Sequence, residues 1–180
     1  MSSCLRIKPS LLVGDGRCRN LISSYATCSI SGQRRPTSSR TRWPFNCLPQ
    51  CGDFLDNAYT QDEMALILET RKLLGLPDLP ITATAAYVPL AHSHSASVTL
   101  ETVQPLSVET ARDAARTGAW YRARGRPDAS ALPQAIRASG HDEVFVGRLR
   151  ADLSVPHGLH LWVVTDNLRK GAALNACTDR

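Results

Sequence analysis

Between His94 and Val103 the sequence HSASVTLETV alternates residue by residue, and a period of two suits a half-buried strand and little else. The alternation puts Ala96, Val98 and Leu100 on one face and Ser97, Thr99 and Glu101 on the other. One strand cannot stand alone in water, so partners must exist elsewhere in the chain. Ile81 to Leu90, rich in Thr, Ala and Val and closing on Pro89, is expected to pair with it. Glu143–Leu149 and Leu159–Asp166 supply two further apolar strands. Helical signals sit between these runs. Thr60-Gln61-Asp62-Glu63 is a capping box, Met64, Ile67, Leu68 and Leu74 mark an apolar stripe, and Gly75 with Pro77 ends the helix. Ser107 caps a short helix running to about Arg116, and a last helix is expected from about Leu168 to Ala176. Trp120–Ser130, rich in arginine, fits neither pattern. Helices segregated against a mostly antiparallel sheet predict the α+β class.

These signals begin only near Trp43. Residues 1–42 show little periodicity beyond Leu21–Tyr25, and Ser31–Arg42 (SGQRRPTSSRTR) is basic, rich in Ser and Thr, and lacks an apolar anchor. The expected division is a basic, disordered segment over 1–42 followed by one folded domain over 43–180. Charge divides in nearly the same place. Residues 1–43 carry eight basic side chains against one acid, whereas 44–180 carry 13 against 15, so the net +5 belongs to the first quarter of the chain. A basic arm invites a nucleic-acid partner, but this one has only Tyr25 as an aromatic before Trp43 and no folded reader, which argues against that class. No run approaches the roughly 20 apolar residues that span a bilayer. The six cysteines (Cys4, Cys18, Cys28, Cys47, Cys51, Cys177) match no paired C-x2-C zinc spacing, so free thiols and a cytoplasmic setting are expected.

Taken by themselves, the candidate chemical residues are modest. Gly14-Asp15-Gly16 after Leu11-Leu12-Val13 lacks the third glycine and the following helix of a dinucleotide loop, so it reads as a turn. His92 and His94 would project to one side of a strand end, but spacing supplies no third metal ligand. His157 and His160 flank Gly158 in what reads as a loop. Glu69 and Lys72, three apart, share a helix face as a surface ion pair would.

Longer blocks carry more. Pro44-Phe45-Asn46-Cys47-Leu48-Pro49, Phe54-Leu55-Asp56-Asn57, Glu69-Thr70-Arg71-Lys72 and the run from Thr82-Ala83-Thr84 through Val88-Pro89 to His94-Ser95 resemble aspartate-semialdehyde dehydrogenase. The likeness resumes at Asp142–Arg148 and at Leu161-Trp162-Val163-Val164, running into Asp166–Asn175. It implies that family's C-terminal catalytic and dimerisation domain. It also implies the NADP-linked interconversion of aspartyl phosphate and aspartate semialdehyde, on the route to lysine, threonine and methionine, through a cysteine thiolate. His94 falls at the general acid/base, Glu69 and Lys72 at contacts to substrate amine and phosphate, and Asn167 near the cofactor. The implied partners are a small-molecule substrate and a second copy of the chain.

The departures are equally specific. Tyr87 stands where the family places the arginine that clamps the substrate carboxylate, exchanging a charged fork for one neutral hydroxyl. Ala96 replaces an acidic residue, none of the six cysteines stands in the nucleophile's context, and the G-x-x-G-x-x-G nucleotide domain is absent from the chain. The expectation is a truncated or frame-disturbed enzyme chain that does not turn over alone. A non-catalytic dimerisation module of the same fold is the competing expectation.

Overall fold

A computed structural model describes residues 6–14, 46–90, 92–117, 121–123, 132–174 and 177. Helix α1, Gln61–Leu74, starts where the capping box places it. Thr60 Oγ1 accepts the Glu63 N–H at 3.4 Å while Glu63 Oε2 accepts the Thr60 N–H at 2.8 Å. Gly75, left-handed at φ 64°, ends the helix, and the Leu76 N–H reaches back 3.0 Å to the Arg71 carbonyl. The expected apolar stripe is narrower than its spacing suggests. Ile67 is buried, but Leu68 and Leu74 are 54% and 49% exposed, because α1 meets the sheet mainly along β2 (Thr84–Val88).

The sheet has six strands in the order β2-β1-β3-β6-β5-β4, where β1 is Arg6–Gly14, β3 His94–Glu101, β4 Tyr121–Ala123, β5 Val144–Ala151 and β6 Gly158–Thr165. Its centre is antiparallel (β1 with β3, β3 with β6, β6 with β5), while the outermost pairs β1–β2 and β4–β5 are parallel. The α+β class is as the sequence predicts. The expected pairing of the strands around Tyr87 and Val98 is not: β1 lies between β2 and β3 and bonds to both. Order therefore starts upstream of Trp43, with a strand, RIKPSLLVG, whose short alternation of Ile7, Pro9 and Leu11 includes a proline and dissolves at Leu11-Leu12-Val13. Long-range pairing, which local periodicity cannot show, makes it a strand. The turn read at Gly14-Asp15-Gly16 begins where β1 ends, and Asp15 and Gly16 lie outside the described residues.

Register confirms the face assignment in β3. Ala96, Val98 and Leu100 lie opposite Val163, Leu161 and Leu159, and Ser95, Ser97 and Thr99 lie opposite Val164, Trp162 and His160. On the second face Phe145, Val164 and Ala138 form a fully buried cluster with Ala135 and Trp162 around it. Ala135 and Ala138 belong to a one-turn helix, α3 (Ala135–Ala138), that sequence periodicity does not reveal; α2 is Val108–Thr117, with Ser107 Oγ accepting the Thr110 N–H as expected. Gly147 is required here, since a Cβ would sit 2.5 Å from Pro133 Cδ. A bulge follows between Gly147 and Arg150, with Arg148 at φ 55°. The expected last helix takes the form of a π-helical segment, Arg169–Ala173.

Candidate functional site

Pairing across three strands brings the candidate residues into register. Tyr87 of β2 and His94 of β3 are both Cα partners of Val13 in β1, and His94 also faces Thr165 of β6. Residues opposed in register share a face, so Tyr87 and His94 lie on the same side of the sheet, about 10 Å apart with β1 between them. Both are half-buried. Tyr87 is fixed by a reciprocal backbone pair with Leu48, at 2.8 and 2.9 Å.

Asn167, just beyond β6, lies behind the histidine. Its Oδ1 accepts the N–H of Ser93, the residue before His94, at 3.1 Å, and the Ser93 hydroxyl donates to the Ala135 carbonyl at 3.0 Å. Buried Asp166 secures the same turn, accepting the Gly140 N–H at 2.7 Å through Oδ2 and the Leu168 N–H at 3.0 Å through Oδ1. Nearby, the Arg169 guanidinium bonds Asp142 and holds that carboxyl below its ordinary range.

Glu69 and Lys72 are exposed on α1 and make no ion pair with each other, nor does any hydrogen bond join them to His94, Tyr87 or Asn167. The structure links their helix to β2 through Glu63 instead. Besides capping α1, buried Glu63 accepts the Ala85 N–H through Oε1 at 2.8 Å, two residues before Tyr87. Sequence reasoning assigned Glu63 only its capping role and overlooked Ser93 and Asp166. The capping-box spacing was the one available signal.

The other candidates separate from this site. His92 is exposed, and among the described residues no three His, Cys, Asp or Glu side chains gather as a metal-ligand set. His160 lies within β6 rather than in a loop, with Nδ1 2.9 Å from Thr99 Oγ1 and Nε2 3.3 Å from Asp152. The Ser154 N–H and hydroxyl, bonding Asp152, hold that carboxyl below its ordinary range. Cys47 and Cys177 are exposed thiols and Cys51 is buried.

A dinucleotide would need a glycine-rich turn opening onto an uncapped helix start. In the described residues α1 begins instead with its own Thr60–Glu63 box and two acids, Asp62 and Glu63, and the α2 start is occupied by Ser107 with Glu109 beside it. Neither offers a seat for phosphate, so the described residues do not fit a nucleotide cofactor. No helix among them is long and apolar enough to cross a membrane.

Comparison with known proteins identifies the domain. Residues 14–170 match the semialdehyde dehydrogenase dimerisation domain. An aspartate-semialdehyde dehydrogenase of Legionella pneumophila is 44% identical over 133 residues, covering 73% of this chain and 38% of the relative. Aspartate semialdehyde dehydrogenase II of Vibrio cholerae, solved in complex with ASA, superposes with a TM-score of 0.90 at 32% identity over 96% of this chain and 52% of that one. The Candida albicans enzyme solved with NADP, at 18% identity and TM-score 0.58, shares the fold; it covers 91% of this chain and 45% of that one. The chain thus spans under half the length of the curated relatives it matches. With a matched domain from the end of β1 through β6, the chain belongs to the aspartate-semialdehyde dehydrogenase family through its dimerisation domain.

Proposed function

We propose that this chain provides the proton-transfer and substrate-holding half of aspartate-semialdehyde dehydrogenase chemistry, the NADP-linked interconversion of aspartyl phosphate and aspartate semialdehyde in lysine, threonine and methionine biosynthesis. The observation that carries the reading is the His94 row, a half-buried histidine at a strand mouth with Tyr87 on the same face, in a chain of this family. His94 gives and takes the proton at the reacting oxygen. Lys72 attracts the phosphate, Glu69 accepts from the substrate amine, and Tyr87 offers the substrate carboxylate a single hydroxyl. Asn167 supports the backbone before His94, its Oδ1 engaged by the Ser93 N–H. The nucleotide seat and the nucleophilic thiolate come from outside the described residues, so turnover requires them to be supplied. The chain acts as a homodimer in the cytoplasm.

The test is an absorbance assay with aspartate semialdehyde, phosphate and NADP, alongside calorimetric titration of aspartate semialdehyde into the chain. Binding that is lost in Glu69→Ala, without turnover, is the expected result. Turnover by this chain alone, abolished in His94→Ala, would overturn the need for a second unit, and absence of binding would overturn the substrate assignment.

A non-catalytic dimerisation module is the second reading, favoured by Tyr87, which brings no charge to an anionic substrate. It predicts a stable dimer with no affinity for aspartate semialdehyde, and binding regained in Tyr87→Arg would exclude it in favour of lost catalysis.

A further inference from the structure

We propose that Ser93 and Asn167 form a clamp whose role is to aim the His94 imidazole. The inference rests on reading His94 as the proton-transfer residue, and it assigns Ser93 and Asn167 as positioning residues for it. Among the described residues three non-glycines have positive φ: Ala58 at 64°, Arg148 at 55° and Ser93 at 77°. The first two are exposed and sit in a turn and a bulge, where such geometry is ordinary. Ser93 is fully buried, with 0% of its surface exposed, directly before His94. A buried left-handed serine costs free energy and persists only where its surroundings over-determine it, and such residues concentrate at working sites.

Here the surroundings are specific. Ser93 uses both of its donors, the N–H to Asn167 Oδ1 and the hydroxyl to the Ala135 carbonyl. Asn167 is itself held in place, because Asp166 accepts the Leu168 N–H within the turn and ties that turn to the Gly140 N–H of the loop before β5. Thr165, two residues earlier, is the register partner of His94. Chain connectivity, strand register and the Asn167 bond therefore close a ring: His94, Ser93, Asn167, Asp166, Thr165 and back to His94. Strand pairing holds the C-terminal side of His94, and the Asn167 bond restrains the backbone on its N-terminal side, so together they set the direction of its Cα–Cβ bond. A histidine that merely starts a strand needs no such ring.

NMR on the intact chain, with labelled histidine and backbone, reads this directly. In the unsubstituted chain the Ser93 amide should exchange slowly and the His94 side-chain couplings should report a single χ1 rotamer. Asn167→Ala should cut Ser93 protection about tenfold or more and average the His94 couplings, while His160, held separately by Asp152 and Thr99, keeps its own. Asn167→Asp retains the acceptor and should restore both signals. A single His94 rotamer surviving in folded Asn167→Ala would overturn the proposal, as would a Ser93 amide that exchanges like an exposed one in the unsubstituted chain. The second measurement needs no variant, so it decides the matter even if Asn167→Ala fails to fold. Because neither readout uses turnover, the clamp is judged separately from the proton-transfer role assigned to His94.

Discussion

Glu63 accepts two backbone donors at once, from Thr60 and Ala85, at a site only 8% exposed. Removing the carboxylate orphans both, and buried orphans cost more than the bonds themselves contribute. Glu63→Ala should lower stability by about 2–4 kcal/mol in urea unfolding, and Glu63→Gln by less because one acceptor remains. Gly147→Ala should cost about 1–3 kcal/mol by driving a methyl into Pro133, and Pro133→Ala in the same chain should recover much of it. Only part of this was legible in the sequence. The T-x-x-E spacing announced the cap, but the Ala85 bond spans 22 residues and follows from tertiary packing. His94 looked ordinary on spacing alone, and only its resemblance to the family singled it out. Its shared row with Tyr87 was hidden because the strand between them comes from far upstream.

Elements were readable where local pattern and tertiary position agree. The α1 boundaries and the β3, β5 and β6 runs agree with their periodicity to within two residues, the largest differences being β3 ending at Glu101 and β5 continuing to Ala151. Signals failed where an element is too short or too dependent on neighbours: β1, the three-residue β4, the single turn of α3, and the π-helical form of Arg169–Ala173. That last segment is fastened by the Asp142–Arg169 pair to the loop before β5. The Asp142 carboxyl is held below its ordinary value of 3.8, first by the Arg169 hydrogen bond, so the pair's contribution is full above that value and is lost as pH falls through the lowered one. Acid unfolding followed by circular dichroism should therefore lose part of its slope below about pH 4 in Asp142→Asn. Unchanged acid sensitivity would show that the pair does not couple the segment to folding.

For the whole molecule, a second copy is the expected partner of a dimerisation domain. Light scattering should give twice the chain mass, and the melting temperature should rise with protein concentration, as mass action requires. A monomer with a concentration-independent melt would refute the homodimer. The basic first quarter, which at first suggested nucleic acid, overlaps a stretch that includes β1, an interior strand of the sheet. That insertion governs the order of assembly. Arg6–Gly14 is synthesised before either neighbour, yet β2 and β3 have no partner on their facing sides until it slots between them. Pairings more than 70 residues apart in sequence form slowly, because the loop must close before any contact rewards it. During that interval two bare strand edges face an empty lane, and any spare extended segment from another chain can occupy it.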